Sequence, residues 1–241
     1  MSESENKSNM TCVSGYWKIK NKHDDKFNHW FENTLKIRCP YIFFGDKESI
    51  EFVKKYRDEL PTYYIELNIE DFVTYKYKDR MVTNKSHCPS IELNLIWNEK
   101  IFMIQRSFAI NPFSSDFFMW VDAGLSIYRN IKPPSTPFPD HNKLNKLPDD
   151  KFIYSSSKNP VYSSNFKKGK YHVEHHVAGT SYMLHKNIID KCVSLYSEYL
   201  ELIDKADIWT DQVIWTLIYK DNIDFFYKYC DGYGSICKRL F

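Results

Sequence analysis

The chain predicts an α/β domain with a mostly parallel central sheet flanked by helices, in one unit spanning residues 10–241. Three observations carry that expectation. Residues 117–121 form an unbroken apolar run ending at a single carboxylate, Asp122, which reads as a strand buried on both faces. Short apolar runs like it alternate with segments whose apolar residues recur at three- and four-residue steps. With 241 residues and 43% hydrophobic content, the chain is long enough to close one core around such a sheet.

The elements follow in order. Residues 1–9 are polar and read as a disordered leader. A first strand is expected over 10–16, leaving through the small turn of Ser14, Gly15 and Tyr16. Residues 24–37 place Phe27, Trp30, Phe31, Thr34 and Leu35 on one helix face. Residues 41–44 make a short buried strand stopped by Gly45 and Asp46, 49–56 a helix, and 63–67 another strand. A long helix is predicted over 90–109, with a broad stripe including Ile91, Leu95, Trp97 and Ile101, ended by Asn111-Pro112. After the Asp122 strand a proline-rich loop covers 132–140, a strand 151–156, and a polar loop 158–170. Residues 177–184 read as a strand. Asn187 then suits the N-cap of a helix carrying Ile188, Cys192, Leu195, Tyr199 and Ile203. A helix over 211–219, a strand over 225–229 and a flexible loop over 231–234 complete the reading.

Composition narrows the function classes. The net charge of +2, from 33 basic and 31 acidic residues, leaves no electrostatic footprint for nucleic acid. The six cysteines show no CxxC pair and no zinc-type spacing, so reduced thiols in a cytoplasmic protein are expected. The first residues lack the apolar core of a signal peptide, and no stretch approaches the roughly 20 apolar residues of a membrane helix.

Asp122 is the first candidate for chemistry. A charged group cannot stay inside such a strand, so it emerges at the carboxyl edge of the sheet, where α/β folds bind ligands. Ala123 and Gly124 let a bulky ligand approach the backbone. The carboxylate suits a divalent cation, a ribose hydroxyl or the cap of the next turn. At the first strand's exit, Gly15 opens backbone N–H groups, Tyr16 can stack on a base, and Lys22 and His23 can meet phosphate. The histidine-rich stretch 170–180 ends in Ala178, Gly179 and Thr180; His176, nearest that turn, suits proton transfer near neutral pH. Thr210 can cap a helix that presents Asp211 and Gln212 at its positive end.

The segment MWVDAGLSIYRN (119–130) resembles the surroundings of the DXD motif in glycosyltransferases of the GT-A fold. More closely, the chain is similar to the HtrL/YibB family, assigned as glycosyltransferases. That resemblance rests on VSGYWKIKNKH (13–23), CPYIFFGD (39–46), ELNLIWNEKIFMI (92–104), NPFSSDFFMWVDAG (111–124), VAGTSYMLHKN (177–187) and TDQVIWTLIYKDN (210–222). The blocks stand in family order.

The resemblance implies a GT-A-like, Rossmann-like domain that moves a sugar from a nucleotide-diphosphate donor, UDP-linked, to a glycan or glycoprotein acceptor. Donor contacts are then expected at Ser14, Gly15, Tyr16, Lys22, Lys100, Asp122, Ala123 and Gly124, and acceptor contacts at Ala178, Gly179, Thr180 and Gln212. Asp211 and His176 are the expected catalytic groups, with Mn²⁺ or Mg²⁺ on Asp122. One departure stands out: Gly124 occupies the position of the last acid of DXD. A non-catalytic protein that binds nucleotide-sugar or glycan is therefore the alternative. A nucleotidyltransferase is a third reading, although it requires two neighbouring metal-binding acids.

Overall fold

A computed structural model describes residues 9–19, 26–57, 59–85, 87–157, 176–202 and 208–241, with only the backbone of residues 26–29. Seven strands form one sheet: β1 (Met10–Gly15), β2 (Tyr41–Gly45), β3 (Thr62–Glu66), β4 (Phe117–Val121), β5 (Phe152–Ser156), β6 (Val177–His185) and β7 (Phe226–Asp231). Their order is β3-β2-β1-β4-β6-β5-β7. β1 runs parallel to β2 and β4, β2 to β3, and β5 to β7. Only β6 opposes its neighbours, β4 and β5. The expected mostly parallel sheet is present.

The chain travels outward from β1 to β2 and β3, then crosses back to lay β4 on the other side of β1. Strand order therefore reverses between β1 and β4. The crevice beyond their carboxyl ends is where open α/β sheets hold ligands.

Helices cover both faces: α1 (Lys26–Thr34), α2 (Lys47–Lys54), α3 (Ile91–Ile110), α4 (His141–Leu144), α5 (Ile189–Leu202), α6 (Asp211–Asp221) and α7 (Ser235–Leu240). Alternate residues of each strand feed opposite cores. Phe118 and Trp120 join Phe102 of α3, Tyr196 of α5 and Trp215 of α6. Phe117, Met119 and Val121 join Phe31 and Leu35, beside Ile236 and Leu240 of α7. The unalternating apolar pattern of β4 follows directly from this two-sided burial.

Several boundaries differ from expectation. Ser90 caps α3, its Oγ accepting from the Leu93 N–H at 3.2 Å, and Asn111 closes the helix in the left-handed region at φ 35°. Asn187 is not an N-cap. It lies in a 3₁₀ turn (Lys186–Ile188) that follows His185, and the buried stripe of α5 is Ile189, Cys192, Tyr196 and Leu200. Residues 1–8, 158–170 and Ile203 lie outside the described residues.

The 3₁₀ turn Val73–Arg80 was not foreseen, because its cap comes from far away in sequence. The Glu99 carboxylate on α3 accepts from the Val73 and Thr74 N–H groups at 2.9 and 3.0 Å. Residues 231–234, expected as a flexible loop, are tied to β5. Asp231 ends β7 and takes a hydrogen bond from Ser156, while the Gly232 N–H donates to the Ser156 carbonyl at 2.7 Å. Gly232 (φ 98°) and Gly234 (φ 72°) turn the chain into α7. Among the described residues all six cysteines are buried free thiols, and no helix is long and apolar enough to cross a membrane.

Candidate functional site

A cavity of about 320 Å³ opens at the β1–β4 reversal point. Gly15 and Tyr16 leave β1 into its wall, and Asp122, Ala123 and Gly124 leave β4 beside them. β6 contributes Gly179 and Thr180 across from β4, where the Asp122 N–H donates to the Thr180 carbonyl at 3.0 Å. α6 delivers Asp211 and Gln212.

Lys100 organises these pieces. It projects from the middle of α3 and is only 3% exposed. Its Nζ lies 3.1 Å from Asp122 Oδ1 and 3.1 Å from Asp211 Oδ2, and donates to the Gly179 carbonyl at 2.8 Å. Thus one ammonium ties together the ends of β4, β6 and α6. Burial opposes its charge, but Asp122 and Asp211 outweigh that cost and hold Lys100 above its ordinary pKa.

The two acids differ. Asp122 keeps a 30% exposed side chain toward the cavity, and its Oδ1 also accepts from Trp120 Nε1 at 2.7 Å. Asp211 is 2% exposed. Burial pushes its carboxyl up to about 6; the pull of Lys100 limits the rise, and the Asp122 charge adds to it. Its Oδ2 is paired with Lys100 by distance but makes no aligned hydrogen bond.

The neighbouring helices explain how Asp211 arrives. Asn94 and Asn98 are buried on α3 amid an apolar stripe. The Asn94 amide donates to the Ile208 carbonyl at 2.8 Å and the Asn98 amide to the Trp209 carbonyl at 3.0 Å. These bonds fix the chain immediately before α6. Thr210 stands at the N-cap of that helix but makes no capping bond, contrary to the sequence expectation. Gln212 Oε1 accepts from the Gly179 N–H at 3.1 Å.

Gly179 is required by this packing. A Cβ there would stand 2.7 Å from Asp211 Oδ2 and 2.7 Å from Gln212 Cγ. Gly179→Ala is therefore expected to push Asp211 off Lys100 and destabilise the fold by about 1–3 kcal/mol, as overpacking a filled site does. Thermal melting beside wild type checks it.

The other expected site residues fall unevenly. Ser14 is fully buried within β1 and does not reach the cavity; neither does Ala178, also fully buried. His176 stands away from it as well. Its Nε2 is 2.7 Å from the Tyr154 hydroxyl and its ring lies against Tyr219, with centroids 4.4 Å apart. Burial lowers its pKa, and the ring packs against Tyr154 of β5 and Tyr219 of α6. Lys22 and His23 lie outside the described residues. Tyr16 does line the cavity, packed edge-on to Phe31 at 4.5 Å. Sequence reasoning missed Trp97 and Arg129, which also line it, as does Tyr233 from the 231–234 loop. Arg129 was within reach, five residues beyond Gly124 in the same motif block.

The residues suit a divalent cation poorly. Such an ion gathers several oxygen ligands. Here Asp122 Oδ1 is already shared by Trp120 and Lys100, and Gly124 brings no side chain. Among the described residues no three His, Cys, Asp or Glu side chains cluster for a metal.

The seven-stranded, mostly parallel sheet with helices on both faces matches the fold of two solved glycosyltransferases. No family model matches the chain, and no curated protein matches it by sequence. Among solved structures it is similar to mouse xyloside xylosyltransferase 1 in its apo form, with a TM-score of 0.57 and 16% identity. That match covers 91% of this chain and 84% of the mouse one. It is also similar to the galactosyltransferase LgtC, in complex with donor and acceptor sugar analogues, with a TM-score of 0.53 and 11% identity. That match covers 92% of this chain and 72% of the other. At these identities the likeness establishes the fold, and the chemistry must be argued from the residues.

Proposed function

We propose that the protein is a nucleotide-sugar-dependent glycosyltransferase of HtrL/YibB type, carrying a sugar from a UDP-linked donor to a glycan or glycoprotein acceptor. The observation that carries this reading is Lys100 held between Asp122 and Asp211 in the wall of a cavity at the sheet's reversal point. A sugar ring offers several hydroxyl donors, and a partly exposed carboxylate such as Asp122 accepts from them. The diphosphate leaving group demands fixed positive charge. Gly15 and Tyr16 supply the open backbone and aromatic wall for the nucleotide. Asp211, 2% exposed, acts by holding Lys100 in place beside Asp122. Mn²⁺ or Mg²⁺ on Asp122 would need further ligands from outside the described residues. The buried reduced thiols support work in the cytoplasm.

Incubation with a panel of nucleotide-sugars, with and without Mn²⁺, tests the reading through release of free nucleotide. Turnover of one donor supports it. Binding without turnover favours the non-catalytic alternative, and pyrophosphate released from a nucleoside triphosphate favours a nucleotidyltransferase.

The raised Asp211 carboxyl makes a pH prediction. Its role requires the ionised form, so kcat/KM should climb with pH through a midpoint near 6. Its contribution to stability runs the other way. A carboxyl raised from 3.8 stabilises the fold below that value and loses the contribution as pH rises through about 6. Activity and melting temperature should therefore move in opposite directions between about pH 5 and 6. A flat kcat/KM profile over that interval, or one unchanged in Asp211→Asn, refutes the assignment.

A further inference from the structure

Resting on the transferase reading, we infer that Arg129 is the cation that neutralises the donor's diphosphate, filling the electrostatic role left without an acid-bound metal by Gly124. Lys100 cannot do this alone, because two carboxylates already share its charge. Arg129 lines the same cavity and joins no ion pair among the described residues. Its Nε–H is buried and makes no hydrogen bond there. A guanidinium beside a cavity with no carboxylate partner can offer its terminal N–H groups to a two-oxygen acceptor.

Its placement is built. Arg129 follows the 3₁₀ turn Ser126–Tyr128 directly after Gly124 and Leu125. Two bonds from the region of α1 clamp that turn. Thr34 Oγ1 accepts from the Leu125 N–H at 3.0 Å, and the Asn33 amide donates to the Tyr128 carbonyl at 2.8 Å. The Arg129 guanidinium carbon lies 3.9 Å from the centre of the Trp30 ring, which holds the group in place. An acid at position 124 would place a second carboxylate on the wall between Asp122 and this turn and draw in a divalent ion. Glycine leaves that space to the diphosphate itself. The arginine fork then meets the phosphate oxygens in two parallel hydrogen bonds, with no metal between them.

Isothermal titration of the whole chain with UDP, GDP and ADP, each in EDTA and in Mn²⁺, tests this with wild type, Arg129→Gln and Arg129→Lys. The diphosphate that binds wild type should bind equally well in EDTA and in Mn²⁺. Arg129→Gln should weaken it about ten-fold or more, with Arg129→Lys intermediate, as loss of a charge-assisted fork requires. Competition by the matching nucleoside should be unchanged in both variants. Binding that appears only with Mn²⁺, or that survives Arg129→Gln, overturns the Arg129 assignment and leaves the transferase reading standing. Equal weakening of nucleoside and diphosphate also overturns it, since Arg129 would then only support the turn. If none of the diphosphates binds wild type, with or without metal, both readings fall.

Discussion

Lys100→Met should cost the protein both its activity and a measurable part of its stability. The ammonium is 3% exposed and compensates two acids, of which Asp211 is equally enclosed. Removing one partner of a buried pair leaves uncompensated charge, at a cost of about 3 kcal/mol. For a chain of this size that lowers the melting temperature by roughly 6–12 °C. The deficit should shrink at pH 5, because Asp211 without Lys100 binds a proton more readily and its neutral form tolerates burial. A double variant, Lys100→Met with Asp211→Leu, should regain most of the lost stability and none of the turnover. Melting curves at pH 7 and pH 5 decide the matter. An unchanged melting temperature at both would mean that this ammonium does not bind the ends of β4, β6 and α6 together.

Asp122→Asn should separate chemistry from folding. The carboxylate is 30% exposed, and asparagine keeps an oxygen to accept from Trp120 Nε1. Lys100 retains Asp211 as its counter-charge. Stability should therefore change little. Turnover should fall on the order of 10²-fold or more, the range for deleting one preorganised charge or donor. Single-turnover measurement with a saturating donor locates the loss in the chemical step. A variant that turns over as fast as wild type would remove Asp122 from the site. The pair of results is informative together: one substitution damages the frame and the reaction, the other the reaction alone.

The strand ending in Asp122 was legible because two-sided burial leaves a plain mark, five apolar residues without alternation and then a charge. The exit of β1 at Gly15 and Tyr16 and the helix starting at Asp211 were readable for similar local reasons. His176 misled because a histidine near a turn looks the same in sequence whether it faces a cleft or, as here, Tyr154 and Tyr219. Ser14 misled by parity. One residue earlier in the strand than Gly15, it faces the core instead of the opening. Asn94 and Asn98 carried a signal that went unread, since amides inside an apolar helical stripe must find buried partners.

Periodicity, turn residues and capping act over a few neighbours, so the alternation of strands and helices, the edge position of Asp122 and the loss of an acid at position 124 were all present in the order of residues. The meeting of Lys100, Asp122, Gly179 and Asp211 was not, because their contacts join residues 22 to 111 positions apart. Charge pairing and hydrogen bonding depend on separations of about 3 Å in space. Those separations arise only when the sheet sets β6 beside β4 and α3 packs on β4.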